Sequence, residues 1–417
     1  MRRNELDYIL GTLLDAHKDV SDLVFTVDKP LQVEACGQLI PVAIAPNIEK
    51  LTPFHTELIA LNLIGGSQRL TEDLLRTGSC DSSYSLGDRA RFRVNIFAQR
   101  GCYSIVLRKL NANIPTLTDL SLPDVIVQAS KEKTGLVLVT GATGSGKSTT
   151  LAALIDEINL RKPIHIITLE DPVEFVYTQK AATINQRELG TDFDTFPTGL
   201  RAALRQAPKV ILVGEMRDRA TVEIALSAAE TGHLVFSTLH TIDAGQTINR
   251  ILGMFETEEQ EQLRYRLADT IRWIIGQRLA PKIEGGRFPI IEVMGSNLRT
   301  KESIIQGESE GKSFYEIIEA SQTFGWRTFD YSVLDAYSQG IITEETAIMY
   351  SSKRGIVTRG IDNIKKIRGD NNSNISDLRM TPMAQLPRHL APPPPTGKPG
   401  AAPPPPPPVV AANLRVK

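Results

Sequence analysis

Cysteine is scarce in this 417-residue chain: Cys36, Cys80 and Cys102 stand far apart. They build neither a disulfide framework nor a CxxC zinc pair. Long apolar runs are missing too, and none approaches the roughly 20 residues that span a bilayer. Neither sign of charge dominates, with 47 Lys+Arg against 48 Asp+Glu. The early Arg2-Arg3 pair is soon followed by Asp, Glu and Lys rather than by a signal-peptide apolar region. These shortages exclude a secreted, membrane-spanning or zinc-knuckle protein, and the cytosol is the expected compartment. What remains is ordinary for a globular chain: 41% hydrophobic and 23% charged residues, enough to bury a core. At roughly 150 residues per domain, the length suggests two or three domains.

Proline is the exception, because its distribution is lopsided. Of 25 prolines, 13 lie from Pro382 onward, including the runs Pro392–Pro395 and Pro403–Pro408. Polyproline stretches stay extended and solvated without internal hydrogen bonds. Residues 371–417 are therefore expected to form a disordered Pro-rich tail, and the folded part to end near Arg368.

Leu6, Ile9, Leu10, Leu13 and Leu14 recur at helical spacing, which predicts a helix over residues 4–17. Leu23–Val27 and Leu31–Ala35 read as strands. Arg91–Phe97 and Tyr103–Leu107, separated by Gly101, read as a hairpin. A small mixed α/β domain over residues 1–112 follows, with Asn111–Pro115 as linker. The pattern then changes to four short apolar runs, Leu136–Thr140, Ile164–Leu169, Val210–Val213 and Leu234–Leu239. Helical stretches separate them, so a parallel sheet covered on both faces is expected. After Asp243 the chain reads as wholly helical, including Leu263–Leu279. The overall class is α/β.

The strongest chemical signal is Gly141-Ala142-Thr143-Gly144-Ser145-Gly146-Lys147-Ser148, which fits GxxxxGK[ST]. It follows an apolar strand and opens a helix, the context this motif requires. Glycines let backbone N–H groups wrap a β-phosphate, and the helix turns its positive end toward the anion. Lys147 can reach the β- and γ-phosphates, and the Ser148 hydroxyl is placed to ligate Mg²⁺. A second strand ends at Gly214-Glu215, where an acid beside such a loop reaches the metal or its water. A third ends in Glu170-Asp171-Pro172-Val173-Glu174. These carboxylates can hold metal-bound water or act as general base, the plainer alternative being a solvated acidic turn. His233 and His240 bracket a strand seven residues apart and point to opposite faces, which excludes a shared zinc ion. Positioning a γ-phosphate is their functional reading, and ordinary hydrogen-bonded histidines the alternative.

GATGSGKST (141–149), ITLEDPVEF (167–175), ILVGEMRD (211–218) and AETGHLVFSTLHT (229–241), in this order, resemble the secretion ATPase superfamily, and within it the type IV pilus retraction ATPases (PilT-like). The resemblance covers roughly residues 4–350. It implies a bacterial hexamer with a PAS-like N-terminal domain (1–112). A RecA-like ATPase domain with a helical C-terminal region (113–370) follows, and the tail (371–417) lies outside the resemblance. It implies ATP and Mg²⁺, with Gly141 to Ser148 and Thr149 on the nucleotide and Ser148, Glu170 and Glu215 toward the metal. Glu174 matches the glutamate that activates water, Glu215 the Walker B acid, and His233 and His240 the family's His box. Arg91, Arg93 and Arg108 match arginines that complete a neighbouring subunit's phosphate site. Further implied are pilus retraction and twitching motility, an inner-membrane platform protein as partner, a second retraction ATPase as a possible companion, and a peripheral position at the inner face of the cytoplasmic membrane.

Some residues depart from that pattern. Ala207-Pro208-Lys209 replaces the family's Asp-Pro-Asp, and Arg205-Gln206-Ala207-Pro208 resembles the accessory retraction branch (PilU-like). Thr300–Glu308 echoes the retraction-specific AIRNLIRE-type motif only weakly, and Val24 stands where the family has His. The zinc-binding tetracysteine often carried by extension and type II secretion ATPases is missing. A nucleic-acid translocase is the rival from another class, and the near-neutral balance without a dense basic stripe argues against it. No nucleic acid is expected as partner. A tail-mediated interaction scaffold is the natural reading of residues 371–417 alone, with an unknown proline-binding partner. Lys353, Arg354, Arg359, Lys365, Lys366 and Arg368 make a basic end. It is either a solvated helix face or a contact for an acidic partner or anionic lipid.

Overall fold

Strand burial alternates in the N-terminal region and is continuous in the middle, and this difference organises the fold. The structure is a computed structural model that describes residues 2–45, 48–87, 89–110 and 113–369. The described residues up to Ile364 form one compact unit. The expected tail (371–417) and the Asn111-Ala112 start of the expected linker lie outside the described residues.

The first region runs α1 (Arg3–Ala16), β1 (Val20–Phe25), β2 (Gln32–Ala35), β3 (Gln38–Pro41), α2 (Pro53–Ile64), α3 (Gln68–Thr77), β4 (Ser79–Leu86), β5 (Ala90–Gln99) and β6 (Cys102–Leu110). Its six strands form one antiparallel sheet in the order β3-β2-β1-β6-β5-β4. Along β5, Ala90, Phe92, Val94 and Ile96 point into a core shared with Leu6, Leu10 and Leu13 of α1 and Leu70 and Leu74 of α3. Period-two alternation therefore puts Arg91 and Arg93 on the opposite face of this sheet.

Next come α4 (Val127–Lys131), β7 (Gly135–Thr140), α5 (Lys147–Arg161), β8 (His165–Glu170), β9 (Thr183–Glu188), α6 (Phe196–Ala203), β10 (Val210–Val213), α7 (Arg219–Glu230) and β11 (Leu234–Leu239). The chain continues with α8 (Ala244–Leu252), α9 (Thr257–Thr270), β12 (Ile271–Pro281), β13 (Arg287–Gly295), α10 (Leu298–Gln306), α11 (Phe314–Glu319), α12 (Phe329–Ser338), α13 (Glu344–Tyr350) and α14 (Arg354–Arg368). The seven-stranded sheet has the order β13-β12-β7-β11-β10-β8-β9. All its pairs are parallel except β12–β13.

Every residue of β7, β10 and β11 is buried, because helices cover both faces. Val137, Val139, Leu212 and Phe236 pack against Leu151, Leu154 and Ile155 of α5. Leu136, Leu138, Ile211 and Val235 face Leu200 of α6, Val222 of α7 and Leu267 of α9. The parallel sheet thus matches the pattern of apolar runs.

The helical reading of Leu263–Leu279 is corrected here. Helix α9 stops at Thr270, and Ile271 onward pairs with β7 on one side and β13 on the other. Leu263, Leu267, Ile271 and Ile274 are spaced like a helix face. From Ile271, however, the β-branched and aromatic residues Ile271, Trp273, Ile274 and Ile275 fit a pleated, buried surface better. The region after Asp243 therefore contains two strands. A polar edge strand, β9, also escapes the reading by apolar runs.

Candidate active site

Strand β7 delivers the chain to the glycine loop, and three of the loop's glycines adopt φ values that side chains avoid: Gly141 (+144°), Gly144 (+78°) and Gly146 (+88°). A Cβ on Gly141 would lie 2.3 Å from the Gln277 carbonyl oxygen and 2.5 Å from Ser145 Oγ. The Cβ position at Gly146 is blocked by the Gln277 amide at 2.7 Å. The loop is thus wound tightly on β12, and Gln277 also accepts a hydrogen bond from Thr150 Oγ1 (2.7 Å).

Lys147 opens the 15-residue α5, whose first-turn N–H groups have no acceptor within the helix. Its Nζ is buried and donates to the carbonyls of Gly141 (2.9 Å) and Ala142 (3.0 Å). Desolvation lowers the lysine's pKa, and the charges of Glu215 and Glu174 oppose that shift. Ser145 Oγ is buried without a hydrogen-bond partner. A lysine spanning its own loop, free amide groups and an orphaned hydroxyl fit a polyphosphate.

Three glutamates, Glu170, Glu174 and Glu215, line the space before this loop. Glu215 follows β10, and its Oε2 accepts from Arg217 Nη2 (2.8 Å), with His240 Nε2 at 3.4 Å. His240 ends β11 and its Nδ1 lies 3.4 Å from Thr143 Oγ1. Glu170 ends β8 and accepts from Thr168 Oγ1 (2.6 Å) and Gln186 Nε2 (3.1 Å). Burial, with Glu174 nearby, pushes its carboxyl up to about 7. The loop from Asp171 to Tyr177 is held from β9: Gln186 accepts from the Tyr177 N–H and donates to the Phe175 carbonyl.

A cavity of about 890 Å³ lies between these groups, within the usual size of a small-molecule site. It is lined by Thr143, Gly144, Gly146, Lys147, Ser148, Thr149, Glu170, Glu174, Glu215 and His240, and also by Arg93 from β5. Gly141, Ala142 and Ser145 form the back of the loop. The hydroxyl of Ser148 and the carboxylates of Glu215 and Glu170 form a hard-oxygen donor set suited to Mg²⁺.

Three residues expected at the site stand elsewhere in this chain. His233 precedes β11 at the end remote from the phosphate loop, where its Nδ1 lies 3.0 Å from the Ala228 carbonyl and its own carbonyl accepts from Gly135. Six residues of strand, about 20 Å, separate that end from Gly141, so His233 does not join His240. Arg108 pairs with Asp22 across the β1–β6 ladder (2.9 Å). Arg91 binds Glu188 of β9 (2.6 Å). Conversely, sequence reasoning passed over Gln277, Arg217, Arg287 and Lys282. Arg217 lies inside the ILVGEMRD segment and could have been taken from it. Lys282 and Arg287, which also line the cavity, come from the β12–β13 hairpin, whose apolar spacing resembles a helix face.

A family described as "Type II/IV secretion system protein" matches residues 82–323. The chain is 37% identical over 348 residues to the type IV pilus ATPase PilU of Pseudomonas aeruginosa, covering 83% of this chain and 88% of that protein. It is 38% identical over 333 residues to the type IV pilus retraction ATPase PilT of the same organism, with 80% and 94% covered. A crystal structure of the pilus retraction motor PilT with bound ADP is similar, with a TM-score of 0.75 and 41% identity over 85% of this chain and 98% of that one. By family match and by relatives that it covers almost end to end, the chain belongs to the type II/IV secretion system protein family.

Proposed function

We propose that this protein is an ATP-hydrolysing motor that drives type IV pilus retraction. One observation carries the reading: Lys147, Ser148, Glu174 and Glu215 converge on a single cavity behind an anion-binding helix end. Backbone amides of residues 141–149 hold the phosphates, and Lys147 leaves its carbonyl partners to pair with the β- and γ-phosphate oxygens. Ser148, Glu215 and Glu170 would hold Mg²⁺, which when bound would supply charge neutralisation at the phosphates. Glu174 accepts the proton of the attacking water, while His240 and Arg93 face the γ-phosphate end. Arg108, exposed on β6, is available to a neighbouring subunit. Residues 1–112 act as the N-terminal domain and 113–370 as the ATPase domain with its helical C-terminal region.

Retraction is supported by the similarity to PilT and PilU over most of each protein. Six subunits form a ring, and hydrolysis changes its shape. None of the helices among the described residues is long and apolar enough to cross a membrane. Docking at the inner face of the cytoplasmic membrane, through a pilus platform protein, is part of this reading. An accessory role beside a second retraction ATPase is favoured by Arg205-Gln206-Ala207-Pro208. ATP turnover of the purified protein tests the base of this reading: Lys147→Ala should lose at least about 100-fold in kcat, and equal rates would overturn it. Counting surface pili in a deletion strain separates the branches. Pili that persist or increase mark a retraction motor, and pili that vanish mark an extension ATPase.

A further inference from the structure

Arg91 and Glu188 meet where the N-terminal sheet touches the loop that carries Glu174. Arg91 Nη2 donates to Glu188 Oε2 at 2.6 Å, and Glu188 is only 6% exposed. Ser83 of β4 donates to the other Glu188 oxygen at 2.7 Å and accepts from Arg91 at 2.8 Å. Each member of the pair also bonds the backbone of one residue: Arg91 Nε donates to the Val173 carbonyl (3.3 Å), and Glu188 Oε2 accepts from the Val173 N–H (3.1 Å). The Val173 side chain is itself buried.

Both peptide groups flanking the Val173 Cα are thereby held, and Glu174 is the next residue. A buried ion pair that only joined two surfaces would gain little over apolar packing. This one, beyond its bonds to Ser83 and the Arg91 Nη1 bond to Ser85 Oγ (3.1 Å), also grips the backbone that aims a carboxylate. We propose that Arg91 and Glu188 form a latch that positions Glu174, so that ATP turnover depends on the docking of the N-terminal sheet of the same chain. The inference rests on the reading of Glu174 as the proton acceptor. Arg91 and Glu188 are positioning residues: neither lines the cavity.

A second contact between the same regions provides the control. Arg69 of α3 donates to the Gly190 carbonyl (2.9 Å), just beyond β9, and leaves Val173 untouched.

The test is steady-state ATP hydrolysis by the full chain. The variants are Glu174→Gln, Arg91→Ala, Arg91→Lys, Glu188→Gln, the Arg91→Ala/Glu188→Gln pair and Arg69→Ala. The latch predicts that Arg91→Ala and Glu188→Gln lower kcat about ten-fold or more while the ATP KM moves less than about two-fold. The double variant should be no worse than the poorer single one. Arg69→Ala should keep wild-type kcat. Arg91→Lys retains the charge but cannot hold Glu188 and Val173 together, so its kcat should be intermediate; it carries the test if Arg91→Ala does not fold. The latch is overturned if Glu188→Gln turns over normally beside an inactive Glu174→Gln, if the two losses multiply, or if Arg69→Ala does equal damage. Wild-type turnover by Glu174→Gln would instead remove the role of Glu174, and the latch with it.

Discussion

Gly141 and Lys147 show how single positions set the chemistry of the loop. With φ at +144° and two oxygens inside 2.6 Å of any added Cβ, Gly141→Ala should displace the loop and weaken ATP-analogue binding at least about ten-fold, measured by fluorescence titration. Lys147 is a desolvated cation whose present partners are two loop carbonyls, so a phosphate replaces weak acceptors with charged ones. A second buried carboxyl adds to the pH dependence that Glu170 contributes. Glu292 of β13 is buried and accepts from the Ala244 N–H (3.0 Å). Burial, with Asp243 and Asp330 nearby, pushes its carboxyl up to about 8 against the opposing charge of Arg278. Its folded pKa is therefore raised above the usual 4.5. Between these values the unfolded chain releases a proton that the folded one keeps, so stability falls as pH rises from about 4.5 and levels off above about 8. Glu292→Gln, which still accepts from Ala244, should flatten that slope in melting temperature against pH. An unchanged slope would contradict the assignment.

At the scale of elements, legibility followed locality. The glycine loop, α5 and the strands β7, β10 and β11 are written in contiguous residues whose burial needs no distant partner to be recognised. Glu215 lies just past β10 and Glu174 in the short loop after the apolar strand β8, so both are legible from the strands that precede them. Strand β9 reads Thr-Ile-Asn-Gln-Arg-Glu, too polar to announce itself, and its meaning comes from pairing with β8 and from Gln186 and Glu188 holding the next loop. Arg91 was legible as a conspicuous arginine but not as the partner of a glutamate 97 positions away. Likewise β12 is a strand because β7 lacks a neighbour on that side, a fact absent from local periodicity. The central strands should dominate stability: Phe236 of β11 is fully buried. Phe236→Ala should cost about 3–5 kcal/mol in denaturant unfolding, and a cost under about 1 kcal/mol would contradict the packing described.

For the whole molecule, two separately cored sheets meet at the site, one supplying the phosphate loop and acids and the other Arg93 and the Arg91–Glu188 contact. That arrangement suits a motor, since moving one sheet relative to the other alters the site directly. The 13 prolines from Pro382 onward lie beyond every motif that points to the nucleotide. Removing residues after Met380 should leave ATP turnover unchanged in the purified protein, and collapse of activity would give the tail more than a handle's role. The central claim, that ATP hydrolysis at Glu174 dismantles pili, is tested most directly by imaging labelled pili in a deletion strain complemented with wild type or Glu174→Gln. Wild type should restore retraction while Glu174→Gln leaves pili extended, and retraction at wild-type rate by Glu174→Gln would contradict the account.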